Sequence, residues 1–341
     1  MRALRAWVAL WDRREHPRAL ALVRIAMAAV IIVDLLAAVR LGVSVQLFGP
    51  LEAGGIGDPL GRQSVPWLYT LVPPTPAGAQ GVVLATIGVA LALLLGAFSR
   101  LSALLLVVLL AQLALVLPPA DRGIDMLIRN VLVLLVFARS GEALGLDALR
   151  RTGSWWGAAA HRVPAWPRYL LLAQLVMLYF AAGVSKVASS WLPVGGWSAL
   201  YIAMRDPAFA RVPPHWLDAL YPLTQLGTFA SWLWEWSAPL LLLAFWFRQT
   251  RDRPGRVRAL FNRLRFARVY LVVGAVFHLG THLTLQLGIF PFAVMALYPA
   301  AFHPDEWRAW GRRFRPRVGA GPVAAGVERG TMQRPPETPA P

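Results

Sequence analysis

The sequence predicts an all-α fold, a polytopic integral membrane bundle of about eight transmembrane helices. Three observations predict it. Of the 341 residues, 57% are hydrophobic and only 15% are charged, against roughly 25% charged in an ordinary soluble domain. Mean hydropathy is +0.53, and the apolar residues fall into runs near the roughly 20 helical residues that cross a hydrocarbon core of about 30 Å. The arginines, finally, alternate between successive connecting loops. Cysteine is absent, which excludes disulfides, zinc–thiolate sites and thiol nucleophiles.

In chain order, a basic arm (1–17) precedes the first apolar run, 19–39. The runs 77–98 and 101–117 flank a tight turn, and 124–138 is short. Next come 168–188 and then 222–247, where Pro239 predicts a kink because proline lacks the helical N–H and clashes with the preceding turn. The last two are 268–288 and a very short 289–303. One membrane domain, 18–310, is expected. Residues 311–341 are rich in Pro, Gly and Ala and read as a disordered cytoplasmic tail. The loops 40–76 and 189–221 lie on the opposite side and carry Trp67, Trp191, Trp197 and Trp216, residue types of an interfacial belt. The arm lacks the apolar run and cleavage site of a signal peptide, and no internal repeat supports an inverted-repeat transporter.

The formal charge is +17, and 33 of the 34 basic residues are arginine. Twenty-six lie in the arm, alternate loops and tail, and only Arg40, Arg62, Arg122, Arg205 and Arg211 lie in the loops between. This is a positive-inside pattern, predicting an inner-membrane protein with cytoplasmic N- and C-termini. Charge divided among several loops excludes a nucleic-acid footprint and makes anionic membrane lipids the expected partner.

Ionisable groups within spans cost at least ~2.5–3.5 kcal/mol each, which makes them functional candidates. Here they are Arg24, Asp34, Asp125, Arg129, Lys186, Glu235, His278 and His282. The predicted topology places Lys186, Asp125 and Arg129 near the outer ends of their segments and Glu235 and His278 near mid-depth, so that five groups converge on one outer cavity. Helical spacing aligns His278, Thr281, His282 and Gln286 on one face, Gln225, Thr228, Trp232 and Glu235 on another, and Tyr179, Ala182, Gly183 and Lys186 on a third. Plainer readings stand beside these. Interhelical hydrogen bonds account for such stripes, Asp125 and Arg129 are spaced for an intrahelical ion pair, and Arg24 and Asp34 suit packing or snorkelling. His278 and His282 have metal-ligand spacing, but no Glu follows the first His, and no metal is expected.

Lys186 is the single lysine. Arginine serves wherever charge alone is needed, and it cannot release its proton, whereas a buried lysine can. Lys186 is therefore expected to work as a neutral amine and general base, with Arg129 nearby favouring that form and Glu235 opposing it.

Three stretches carry a family resemblance: Tyr179-Phe-Ala-Ala-Gly-Val-Ser-Lys186 followed by Trp191; Phe277-His278-Leu279 through Gly288-Ile-Phe-Pro291 and Met295-Ala296; and Ala21-Leu-Val-Arg24-Ile with Asp34 ten residues on. Over roughly 18–310 the chain resembles the vitamin K-dependent γ-glutamyl carboxylases and their bacterial relatives with the horizontally transferred transmembrane (HTTM) domain. The resemblance implies that Lys186 is the base that deprotonates reduced vitamin K, whose oxygenation drives removal of a glutamate γ-proton and addition of CO₂ on the outer face. It also matches His278 to a histidine of that site. Ser185 replaces a lysine of the animal motif, 124–130 lacks the carboxylase histidine, and only about 40 residues follow the last predicted span.

The expected function is therefore a quinol-dependent, epoxidase- or carboxylase-like membrane enzyme using a reduced isoprenoid quinone with O₂ and CO₂. Lys186, His278 and Glu235 are the expected catalytic groups, and Asp125, Arg129, Tyr179, His282 and Trp191 the substrate-binding ones. A separate protein is expected to supply the outer substrate-binding domain. The alternatives are a non-catalytic lipid-binding or accessory protein and a small-solute transporter.

Overall fold

The computed structural model describes residues 2–57 and 67–307; Arg62 and the expected disordered tail, 311–341, lie outside the described residues. Helix α1 (Arg2–Trp11) leads into a two-residue strand β1 (Arg14–Glu15), which pairs antiparallel with β2 (Val163–Pro164). Helix α2 (Arg18–Arg40) is apolar apart from Arg24, Asp34 and its two end arginines; it is buried over most of its first half and exposes Val33 and Leu36 further on. It packs against α3 (Pro76–Leu95), which starts where the Thr75 hydroxyl accepts the Gly78 N–H at 3.0 Å and Pro76 occupies the first turn. Gly96 ends α3 in the left-handed conformation, φ 68°. A β-carbon there would lie 2.8 Å from the Gly145 Cα, so only glycine fits.

Helix α4 (Ser99–Val116) returns along α5 (Gly123–Phe137), and α6 (Trp166–Ser185) follows. The sixth predicted segment is two helices, α7 (Tyr221–Trp236) and α8 (Pro239–Gln249). At the kink expected at Pro239 the backbone of Ser237 and Ala238 stays right-handed helical, but the bonds tighten: the Ala238 N–H donates to the Glu235 carbonyl at 3.1 Å and the Leu240 N–H to the Ser237 carbonyl at 2.9 Å. Helix α9 (Phe266–Thr284) stops four residues short of its predicted end. There the chain turns extended, Leu285 bridges Ala210, and the Gln286 N–H donates to the Phe209 carbonyl at 2.8 Å. The final segment is two short helices, α10 (Phe290–Met295) and α11 (Tyr298–Ala301).

Every predicted segment is helical. Five helices, α2, α3, α4, α6 and α9, are long and apolar enough to cross a membrane. With 15 residues, α5 is about 22 Å long at 1.5 Å per residue. The core joins Met27 and Ile31 of α2, Val83 and Leu93 of α3, Leu132 of α5, Leu171 and Leu175 of α6, and Val294 and Leu297 beyond α9. On the outside, Leu84, Leu91, Leu101, Leu104, Val272 and Val276 are exposed. Exposed apolar side chains along membrane-length helices are what a lipid-facing wall requires.

Two arginines sit inside the bundle. Arg24 does not snorkel: it is fully buried and donates to the Ser140 carbonyl at 3.0 Å and to the Leu144 carbonyl. In the first third of α2 its side chain meets the loop after α5, whose carbonyls accept it in place of the interface. Arg168, at the start of α6, makes a two-point bond to Glu15 at 2.5 and 2.8 Å and donates to the Ala300 carbonyl at 2.9 Å. It joins the arm, α6 and α11.

Candidate functional site

Lys186 caps the C-terminal end of α6. Its ammonium donates to the Ala182 carbonyl at 3.3 Å, one of the carbonyls a helix end leaves without a partner. It forms an ion pair with Glu235 of α7, and the Trp191 ring lies 4.8 Å from Nζ. Carboxylate, helix-end carbonyl and aromatic face are all partners that an ammonium binds. The neighbour expected to favour the neutral amine, Arg129, bonds elsewhere. Glu235 is buried, so Lys186 is its charge partner in a site largely without water. Close approach of α6 and α7 makes the pair possible: a β-carbon on Gly183 would stand 2.9 Å from the Trp236 backbone nitrogen.

Two turns earlier on α6, about 10 Å along the axis, lies a second group. The Tyr179 hydroxyl bonds to His278 Nε2 at 2.9 Å and to the Tyr298 hydroxyl at 2.8 Å. Trp234, next to Glu235, packs on Tyr179 with ring centroids 4.4 Å apart and stacks on Tyr270 at 5.3 Å. Its indole N–H donates to the Tyr270 carbonyl, and the Tyr270 hydroxyl returns a bond to the Trp234 carbonyl. His278 is completely buried, and its Nδ1 has no hydrogen-bond partner among the described residues. His282, one turn on, packs against Phe292 at 4.7 Å. Among the described residues no three His, Asp or Glu side chains gather as a metal site.

The structure does not bring all five expected groups together. Asp125 and Arg129 belong to a separate cluster and, among the described residues, share no ion pair or hydrogen bond with Lys186, Glu235 or His278. Nor do they pair with each other. Asp125 turns back over the start of α5, accepting the Arg122 backbone N–H and Nε, both at 2.9 Å. Arg122 also reaches Asp34 on α2 at 2.6 Å, and Arg129 binds Asp121 through two bonds of 2.7 Å. The physical reason is the helix end: the third helical position places a carboxylate by unpaired N–H groups and the positive dipole, which outcompetes the partner one turn along. Hydrogen bonding to Asp125, with Asp34 adding to it against burial, holds the Arg122 guanidinium above its ordinary range.

This cluster borders a cavity of about 380 Å³ walled by Ile31, Leu35, Leu110 and Leu113. Another, of about 550 Å³, has Leu127, Leu178, Leu287 and Phe290 in its walls and Arg122 at its edge. Phe290 lies 6.1 Å from His278, centroid to centroid. Sequence reasoning passed over Tyr298, Tyr270, Trp234 and Asp121, and counted Arg122 only as a loop arginine. Asp121-Arg122 immediately before a helix with Asp at its third position was a readable capping signal. The buried tyrosines had none, because an aromatic residue in an apolar run looks the same whether it faces lipid or a histidine.

A family model described as the HTTM domain matches residues 12–307. No solved structure matches the chain. The match runs from the arm before α2 to the end of the described chain and takes in Lys186, Glu235 and His278. This chain belongs to the HTTM domain family.

Proposed function

We propose that this membrane protein is a quinol-dependent enzyme of the inner membrane, with about eight crossings and cytoplasmic termini, in which Lys186 takes a proton from a reduced isoprenoid quinol at the outer face. The observation that carries the reading is the Lys186–Glu235 pair, formed by the only lysine in the chain against a buried carboxylate. An ammonium cannot accept a proton. Lys186 must first pass one to Glu235, converting ammonium and carboxylate into amine and carboxylic acid, and the amine then accepts the quinol hydroxyl proton. What supports a quinol is the apolar cavity with Leu127, Leu178 and Phe290 in its walls, which suits an isoprenoid tail and meets the His278 group through Phe290. Bound there with O₂, the quinol supplies the oxidative chemistry, which yields epoxide and water. Tyr179 and Tyr298 hold the His278 ring in place. Addition of CO₂ to a glutamate, with a separate protein presenting it, is the extension of this reading that the carboxylase resemblance suggests.

The test is epoxide formation from reduced menaquinone or vitamin K under O₂ by the purified protein. Wild type should produce epoxide, and Lys186→Met should lower the rate by about 10²–10⁴-fold, the usual contribution of a positioned base. No epoxide from wild type, or equal rates in both proteins, rules the reading out. The cavity at Asp34 and Arg122, apolar walls beneath a charged rim, supports a second reading, a non-catalytic binder of membrane amphiphiles. Lipid that co-purifies in stoichiometric amount, and is lost in Ala114→Phe, would favour it.

A further inference from the structure

Between α8 and α9 the chain forms a nine-residue helix, Arg256–Leu264. One face is docked. Phe261 packs on Phe247 and Phe266 with ring centroids 5.4 and 4.8 Å apart, the Asn262 amide donates to the Phe247 carbonyl at 3.1 Å, and the Arg258 guanidinium lies over the Phe247 ring. The adjoining face is not docked. Val257, Leu260 and Leu264, spaced i, i+3 and i+7, are 57%, 52% and 55% exposed. Arg256 and Arg263 border this stripe on the side away from the dock. From 248 to 268 the chain carries eight arginines and one acid, Asp252. Arg248 and Arg268 share the single carboxylate of Glu306, whereas among the described residues no carboxylate pairs with Arg253, Arg256, Arg263 or Arg265.

We infer that Arg256–Leu264 is an interfacial helix that binds an anionic lipid surface, with its leucine and valine stripe at the acyl boundary and its unpaired arginines on lipid phosphates. Two features select this occupant. The charge of the segment is strongly positive, and a helix of high amphipathicity with Arg beside a narrow apolar stripe has the composition of a surface binder. Its C-terminal end also runs through Arg265 into the membrane-length α9, which Phe266 begins, while residues 250–255 join its other end to α8. The dock on Phe247 fixes the helix where those helices leave the bilayer. This inference rests on the membrane fold and the charge distribution, and it stands whether or not Lys186 is a base.

The absence of cysteine makes a single spin label clean. Full-length Leu260→Cys and Ala259→Cys proteins, labelled and reconstituted at low protein-to-lipid ratio, would be compared in phosphatidylcholine vesicles and in equimolar phosphatidylcholine and phosphatidylglycerol. Accessibility to oxygen reports lipid, and accessibility to a water-soluble nickel chelate reports solvent. With phosphatidylglycerol the label at 260 should be in lipid and that at 259 in water. Adding Arg256→Gln and Arg263→Gln should lower the ratio of inserted to water-exposed label at 260 by about 30-fold, at roughly 1 kcal/mol per arginine near a charged surface. A label at 260 that stays in water with phosphatidylglycerol overturns the proposal. So does lipid contact indifferent to both phosphatidylglycerol and the glutamines, or a label at 259 that is equally deep. Spin–spin broadening at 260 in both vesicle types would put a second copy on the stripe and overturn it too.

Discussion

Arg168–Glu15 and Lys186–Glu235 are both cation–carboxylate pairs at the ends of one helix, yet they are built in opposite ways. Arg168 is 1% exposed, and its planar fork is bonded to both oxygens of Glu15 and to a carbonyl. Nothing in that arrangement can turn or lose a proton, and it acts as a rivet between three segments. Lys186 keeps 17% of its side chain exposed and meets Glu235 through one amine. A single rotatable ammonium at a helix end, under an indole, can swing away or pass on its proton. One end of α6 is fastened, and the other keeps the freedom that the proposed proton transfer needs.

The sharpest way to break this contrast is Glu15→Gln, which leaves the buried Arg168 charge without its carboxylate. Thermal unfolding in detergent should show a loss of about 3–5 kcal/mol, much of it recovered when Arg168→Leu and Glu15→Leu are combined. If Glu15→Gln leaves the melting temperature in place, Arg168 is not a rivet. Lys186→Arg is the complementary change. It keeps the positive charge but not a removable proton, so epoxide formation should fall as far as in Lys186→Met while the melting temperature stays close to wild type; an active arginine protein would refute proton transfer by this residue. Gly183→Ala inserts a β-carbon against the Trp236 backbone. Overpacking of this kind costs about 1–3 kcal/mol, and the variant should lose activity with Glu235 and Lys186 both intact, as separation of α6 from α7 breaks their pair.

The smallest effect is expected at the arginine-rich end. Burial raises the Glu306 carboxyl, but the hydrogen bond from Arg268 and the charge of Arg248 outweigh it and hold the group below the usual carboxylate range. Its stabilisation is complete above roughly pH 4.3, the free glutamate value, and is lost as pH falls through the depressed native value. Melting curves from pH 6 down to about 3 should show a shallow acid decline that Glu306→Gln flattens, worth no more than ~1 kcal/mol. An unchanged acid limb in that variant would mean the contact adds nothing.

Much of this was legible in the sequence. The apolar runs located the five membrane-length helices because a span must be apolar over its whole length, but not α1 or Arg256–Leu264, and Lys186 stood out because it broke a strict compositional rule. Positions along each helix were readable, and partners across helices were less so. Arg129 had Asp125 at the ideal spacing and chose Asp121, since the start of a helix has electrostatic demands that a periodicity count does not weigh. Arg24 looked like a residue near a membrane edge because its carbonyl partners, Ser140 and Leu144, lie more than a hundred positions away in the chain. The weak point at Pro239 was readable as a bend. That it loosens the hydrogen-bond ladder without breaking the helical path follows from Ser237 and Ala238, whose backbone stays right-handed helical while Pro239 supplies no N–H.

That weak point has a mechanical meaning. A continuous helix behaves as a stiff rod, so a push at one end displaces the other. The chain from Tyr221 to Gln249 is instead two rods joined at a weak point, Ser237 and Ala238, where the helical path continues but Pro239 gives the ladder no N–H. The joint lies two residues beyond Glu235, and the far rod is clamped through Phe247 to the arginine-bearing helix below. Tilting of the near rod would change the reach of Glu235 towards Lys186 without levering that clamp loose.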